Sequence, residues 1–191
     1  MESRASPLEE PMGPIINKEI VLESTKAAFL IGSWTRSRER ELAGCASETL
    51  DEDELGAELE RWSLLETLSR NDISSYDRLP RMEHLVSVLT GLSVALLLSS
   101  DEGEYFAIRR EWNKVTGWLK AGHGIDLSAP GTTLMDIDGD GPIHSAESLQ
   151  LIVEYIPELK RGWQSGGSEG VRDYLTVLSL GLKEKRRRRC R

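Results

Sequence analysis

The chain has 191 residues and a net charge of −8, with charged residues at 29% and hydrophobic ones at 39%. That length suits one domain with a real core, and the composition excludes both full disorder and a disulfide-built miniprotein. The charge is uneven: KEKRRRRCR, residues 183–191, holds seven basic side chains and one acid (+6), so residues 1–182 sum to −14, which argues against the body gripping a phosphate backbone.

Residues 1–14 hold three prolines and three acids without apolar periodicity and read as a mobile arm. They contain no apolar stretch of the signal-peptide kind, and two cysteines (Cys45 and Cys190) are too few for a disulfide framework or a four-thiolate zinc site. An intracellular setting, cytoplasmic or nuclear, is therefore expected.

From Asn17, a capping residue, Ile20, Val21, Ala27, Ala28, Phe29, Ile31 and Trp34 recur at helical spacing. Gly32 is expected to bend or end this first helix ahead of RSRERE. Thr49 with Glu52 forms a capping box, and Leu55, Leu59, Trp62, Leu65 and Leu68 trace the face of a second helix. Pro80 opens a third that runs to about Ser100. Asp101 caps a fourth, whose buried stripe is read as Tyr105, Ile108, Trp112, Val115 and Leu119, and GHGIDLSAPG is read as loop.

Beyond residue 147, LQLIVEYI is expected to be helical and to stop or kink at Pro157. SGGSEG breaks the chain, and a last helix from Ser168 carries Val171, Tyr174, Leu175, Leu178 and Leu182. The expected fold is all-α: a compact bundle of about six or seven helices over residues 15–182, followed by a basic tail at 183–191. Residues 84–100, HLVSVLTGLSVALLLSS, lack formal charge for seventeen residues, at the lower limit for a bilayer span. A central core helix explains them more simply, because amphipathic helices need an apolar element to pack around.

The segment with specific chemistry is DIDGDGPIHSAE, residues 136–147. Asp136, Asp138 and Asp140 occupy positions 1, 3 and 5 of a twelve-residue loop, Gly141 position 6, Ile143 position 8 and Glu147 position 12. Alternate carboxylates on a curled segment can converge on a hard cation that wants six to eight oxygens. A left-handed backbone at the reversal is cheap only for glycine. Four acids so close repel one another unless a cation fills the loop.

The segment resembles the EF-hand calcium-binding loop, and the likeness covers the loop and the helix that follows it. It implies Ca²⁺ bound by the side chains of Asp136, Asp138, Asp140 and Glu147 and the carbonyl of Pro142, with Gly141 and Ile143 shaping the loop. The helix leaving the loop is expected over Ser145–Ile156; the one entering is short, with Pro130 and Gly131 just ahead of Asp136. His144 stands at position 9, where a water-bridging acid or hydroxyl is usual. The hand is single in the sequence, so its partner is either a degenerate hand or a second copy of the chain. An unpaired site of this make-up is expected to bind at about 10⁻⁵ to 10⁻³ M. The same residues would also make an Asp/Gly turn that binds nothing, although turn chemistry leaves Glu147 and Ile143 unexplained.

His84, His123 and His144 lack metal-site spacing, and no nucleophile motif or phosphate-binding glycine loop is present, so no catalysis is indicated. The tail residues Lys183, Lys185, Arg186, Arg187, Arg188 and Arg189 fit a nuclear-import signal, a contact to nucleic acid or anionic lipid, or simply a helix end whose cations complement the dipole. Two functions follow. One is a calcium-binding helical protein acting on a protein partner. The other is a helical adaptor whose basic tail engages nucleic acid or an import receptor, with the acidic loop incidental.

Overall fold

The computed structural model describes residues 13–42, 64–66, 68–69, 82–127 and 154–189, and these are predominantly helical with no strand among them. Four long helices stand in chain order: α1 (Lys18–Leu42), α2 (Met82–Leu98), α3 (Glu102–His123) and α4 (Ile156–Arg189). Residues 64–66 and 68–69 are helical as well and bring the described helices to five, against the six or seven expected.

α2 is the centre. Leu85, Val88, Leu89, Leu92 and Ala95 are fully or almost fully buried, as are the polar His84, Thr90 and Ser93. A helix apolar around its whole circumference must be enclosed by others, and α1, α3 and α4 all contact it. No described helix is long and apolar enough to cross a membrane, which fits the core reading of residues 84–100.

α1 and α2 pack closely. A Cβ placed on Gly91 would sit 2.9 Å from the Cα and backbone nitrogen of Thr25. Small residues on α1 (Ser24, Thr25, Ala27 and Ala28), all buried, let the backbones approach this closely. Gly91→Val is therefore expected to destabilise the fold by about 3 kcal/mol through overpacking against backbone that cannot yield, measured as a lower urea midpoint.

The start of α1 is as the sequence implies. The Asn17 side-chain oxygen accepts the amides of Glu19 and Ile20 at 3.1 and 3.3 Å. Gly32, however, does not end α1, which continues to Leu42. A mid-helix glycine costs about 1 kcal/mol, and burial of Ile31 and Thr35 on either side of Gly32 offsets that.

Asp101 caps α3 as expected, its Oδ1 accepting the Glu104 amide at 2.8 Å. Ile108, Trp112, Val115 and Leu119 form the buried stripe, but Tyr105 is 38% exposed and does not belong to it. The helix also reaches two residues into the stretch read as loop, to His123, and closes on a left-handed Gly124 (φ 64°). Of the second helix, Leu64 and Leu68 are buried and Leu65 lies at the edge. Thr49, Glu52, Leu55, Leu59, Trp62 and Pro80 lie outside the described residues.

α4 corrects the expectation at Pro157, which opens a helix instead of stopping one: it sits second in α4, where a missing amide costs nothing. The break at SGGSEG is real. Gly166 and Gly167 leave the helical region, and Gly167 has φ 60° and ψ −134°, a backbone open in practice only to glycine. The two halves then fold so sharply that Gly162 and Gly170 meet backbone to backbone.

Candidate functional site

Every residue of the calcium-loop assignment (Asp136, Asp138, Asp140, Gly141, Pro142, Ile143 and Glu147) lies outside the described residues, as does His144. The structure does place the chain on either side of them. α3 ends in a closed cap: the Gly124 amide donates to the carbonyls of Leu119 and Lys120, and the Ile125 amide to Leu119 at 3.3 Å. Lys120 pairs with Asp126 at 2.9 Å, and His123 packs on Trp118 with ring centroids 4.6 Å apart. This fixes where the chain leaves the bundle, twelve residues before Asp136.

The chain returns at a turn, Glu154–Tyr155, seven residues after Glu147. Tyr155 meets Trp34 edge to face, with centroids 5.7 Å apart, and accepts the Leu159 amide at 3.0 Å. The helix expected over Ser145–Ile156 therefore does not run through its last residues, because Ile156 begins α4 instead. The described chain is thus held at Gly124, twelve residues before the acidic segment, and at Tyr155, eight residues after it. Among the described residues there is no group of three or more His, Cys, Asp or Glu able to hold a metal ion.

The tail positions are helical. α4 continues without interruption across residues 182 and 183 and carries positions 183 to 189 on its last two turns. Arg188 is exposed and pairs with Glu184 one turn earlier.

Two carboxylates that the sequence does not single out hold these helices in place. Glu111, with its side chain only 4% exposed, accepts the backbone amide of Asn17 at 2.8 Å and the Lys114 ammonium at 2.8 Å. It supplies negative charge at the start of α1, where the helix dipole favours it. Glu23 of α1 accepts both the amide and the hydroxyl of Ser168, at 3.2 and 2.7 Å, and so caps the second half of α4 from another helix. The sequence signal for both is faint: one acid inside each apolar stripe.

Burial pushes the Glu23 carboxyl up, but the Ser168 hydroxyl and amide, with Lys26, outweigh it and hold it below the ordinary glutamate value. The folded value is then lower than the unfolded one. Its contribution to stability is present above the unfolded value and is lost as the pH falls through the folded value. Glu23→Gln is accordingly expected to lower the Tm near neutral pH. The gap to wild type should close well below pH ~4.3, the ordinary glutamate value. A gap that stayed constant from neutral to acid pH would show that the charge of Glu23 contributes nothing.

Trp112 Nε1, Trp163 Nε1 and Thr25 Oγ1 have no hydrogen-bond partner among the described residues. Arg109 lies 4.8 Å from the centroid of the Trp112 ring. No family model, curated protein or solved structure matches this chain.

Proposed function

We propose that this is a calcium-binding helical protein, with Ca²⁺ held in the EF-hand-like loop at residues 136–147, and that it acts through contact with a protein partner. The observation that carries the reading is the sequence of the loop: carboxylates at positions 1, 3, 5 and 12, glycine at 6 and isoleucine at 8. Asp136, Asp138, Asp140 and Glu147 ligate through side chains and Pro142 through its carbonyl. The closed cap at Gly124 and the Tyr155–Trp34 contact support it, because they hold the chain twelve residues before and eight residues after the loop and so limit the conformations open to the segment between them. With one hand in the sequence, the ion is structural or regulatory, and the hand pairs with a degenerate hand or with a second copy of the chain.

Calcium titration by calorimetry on chelator-stripped protein, with magnesium as competitor, tests the reading. One saturable site per chain, lost in Asp136→Ala, is the expected result. Absence of heat at millimolar calcium would reduce the segment to an acidic turn.

A second reading takes the basic tail as the working element of a helical adaptor that engages nucleic acid or an import receptor. The continuation of α4 to Arg189 favours it, since the cations are then presented on an ordered helix. Removal of residues 183–191 would abolish partner binding under this reading and leave calcium binding intact.

A further inference from the structure

Two contacts set the relation of α1 to α4. Glu23 meets Ser168, and the Trp34 indole N–H donates to the Ser179 hydroxyl at 3.1 Å; each pair is 145 residues apart. Eleven residues separate the contacts on α1 (34 − 23) and eleven on α4 (179 − 168), about 16 Å of helix in both cases. The second half of α4 therefore runs parallel to α1 and in step with it. At the same offset Leu42, the last residue of α1, comes level with residue 187, so the two helices finish at one pole.

That pole gathers two segments that are remote in the sequence. Residues 36–42, RSREREL, carry three bases and two acids (+1). Residues 183–189, KEKRRRR, carry six bases and one acid (+5). Together they make +6, which leaves −14 for the rest of a chain whose net charge is −8. Two helix C-termini amount to about half a negative charge each, so dipoles account for about one of the six.

Resting on the basic-tail reading, we propose that the joined C-terminal ends of α1 and α4 form one docking surface for the phosphate backbone of duplex nucleic acid. The charge is arginine-rich, and the guanidinium fork matches phosphate oxygens in pairs. Positions 183 to 189 step around the helix at 100° each, so the pole as a whole is basic and there is no basic face set against an apolar one. A helix that lies in an anionic bilayer uses such a face, so a membrane could hold this pole by charge alone. The apolar residues nearby, Val177 and Leu180, are 66% and 63% exposed but share their side of α4 with the exposed acids Asp173 and Glu184. Laying that side on a membrane would press two carboxylates into anionic headgroups. The −14 of the body repels the duplex as well, but within about 10 Å salt screens it, and only the pole need approach.

The experiment is anisotropy of a labelled 20-base-pair DNA duplex with the full chain, alongside flotation with vesicles of 70% phosphatidylcholine and 30% phosphatidylserine. Binding to the duplex is expected to fall ~100-fold between 50 and 200 mM salt, as about four phosphate contacts would give. Changing Arg186, Arg187, Arg188 and Arg189 together to alanine should abolish it. Arg38→Ala with Arg40→Ala should weaken it about tenfold, and lysine at both positions should restore it. Arg40→Glu serves as a second variant, with circular dichroism confirming the fold of each. Loss in the tail variant with none in either α1 variant would overturn the shared pole and leave the tail reading standing. No duplex binding at 50 mM salt would overturn both. Vesicle binding in preference to duplex, or concentration-dependent dimerisation abolished by the tail variant, would assign the pole to a bilayer or to a second copy of the chain.

Discussion

Gly170→Ala is expected to cost about 3 kcal/mol or more, a large part of the 5 to 15 kcal/mol that holds a domain together. Cβ atoms at Gly162 and Gly170 would each strike the other residue's backbone: one on Gly162 would lie 2.7 Å from the Gly170 carbonyl oxygen, and one on Gly170 would overlap the Gly162 carbonyl outright. A flexible side chain could swing away from such a contact, but a peptide group cannot. Relief would have to come from opening the corner at Gly166–Gly167, and that would pull Ser168 off Glu23 and shift the second half of α4 along α1. Gly181→Ala is the control. It lies on the same helix with nothing within 4 Å of a Cβ, and there alanine should stabilise by about 0.5 to 1 kcal/mol through helix propensity. Urea denaturation of the pair checks both signs. Equal midpoints would mean that the corner relaxes at little cost.

Local signals were legible in the sequence where one residue decides the outcome within one turn. Asn17 and Asp101 are caps because their short side chains reach amides two or three residues ahead, and both can be read without the fold. The stripe Ile108–Trp112–Val115–Leu119 is periodic, and the structure buries it. Gly32 and Pro157 mislead for one reason: each is a breaker by propensity, and propensity is a small term. At Gly32 tertiary burial outweighs it, and at Pro157 the residue stands in the first turn, where the penalty does not arise. Tyr105 satisfies the period but sits at the end of α3, beyond the reach of the core.

What the sequence could not show is long-range. Glu23 is only one acid inside an apolar stripe, and the fold alone brings Ser168 to it across 145 residues. The parallel run of α1 and α4, and with it the union of RSREREL and KEKRRRR, has no local signature. The acidic loop is the opposite case: its chemistry is complete in twelve consecutive residues, and these lie outside the described residues.

Exchange of Glu147 for Gln is expected to weaken calcium binding by about 100-fold or more. Even residues that only hydrogen-bond to a metal's ligands are worth about 10 to 100-fold, and this change removes a charged ligand meant to supply two oxygens. Its size is almost conserved, so the loss reports charge and denticity and not packing. The same substitution predicts a stability effect that needs no knowledge of the partner. A ligand bound only to the folded state stabilises it by about 2.7 kcal/mol at a hundredfold excess over Kd. Wild-type protein should therefore melt higher as calcium rises into the millimolar range, whereas Glu147→Gln should melt at nearly the same temperature with and without it. Removal of the ion should also bring the four carboxylates into direct repulsion, so in the apo state the neutral glutamine variant is expected to be no less stable than wild type. An apo variant much less stable than wild type would show that Glu147 holds the fold without any ion, and that would count against the metal assignment.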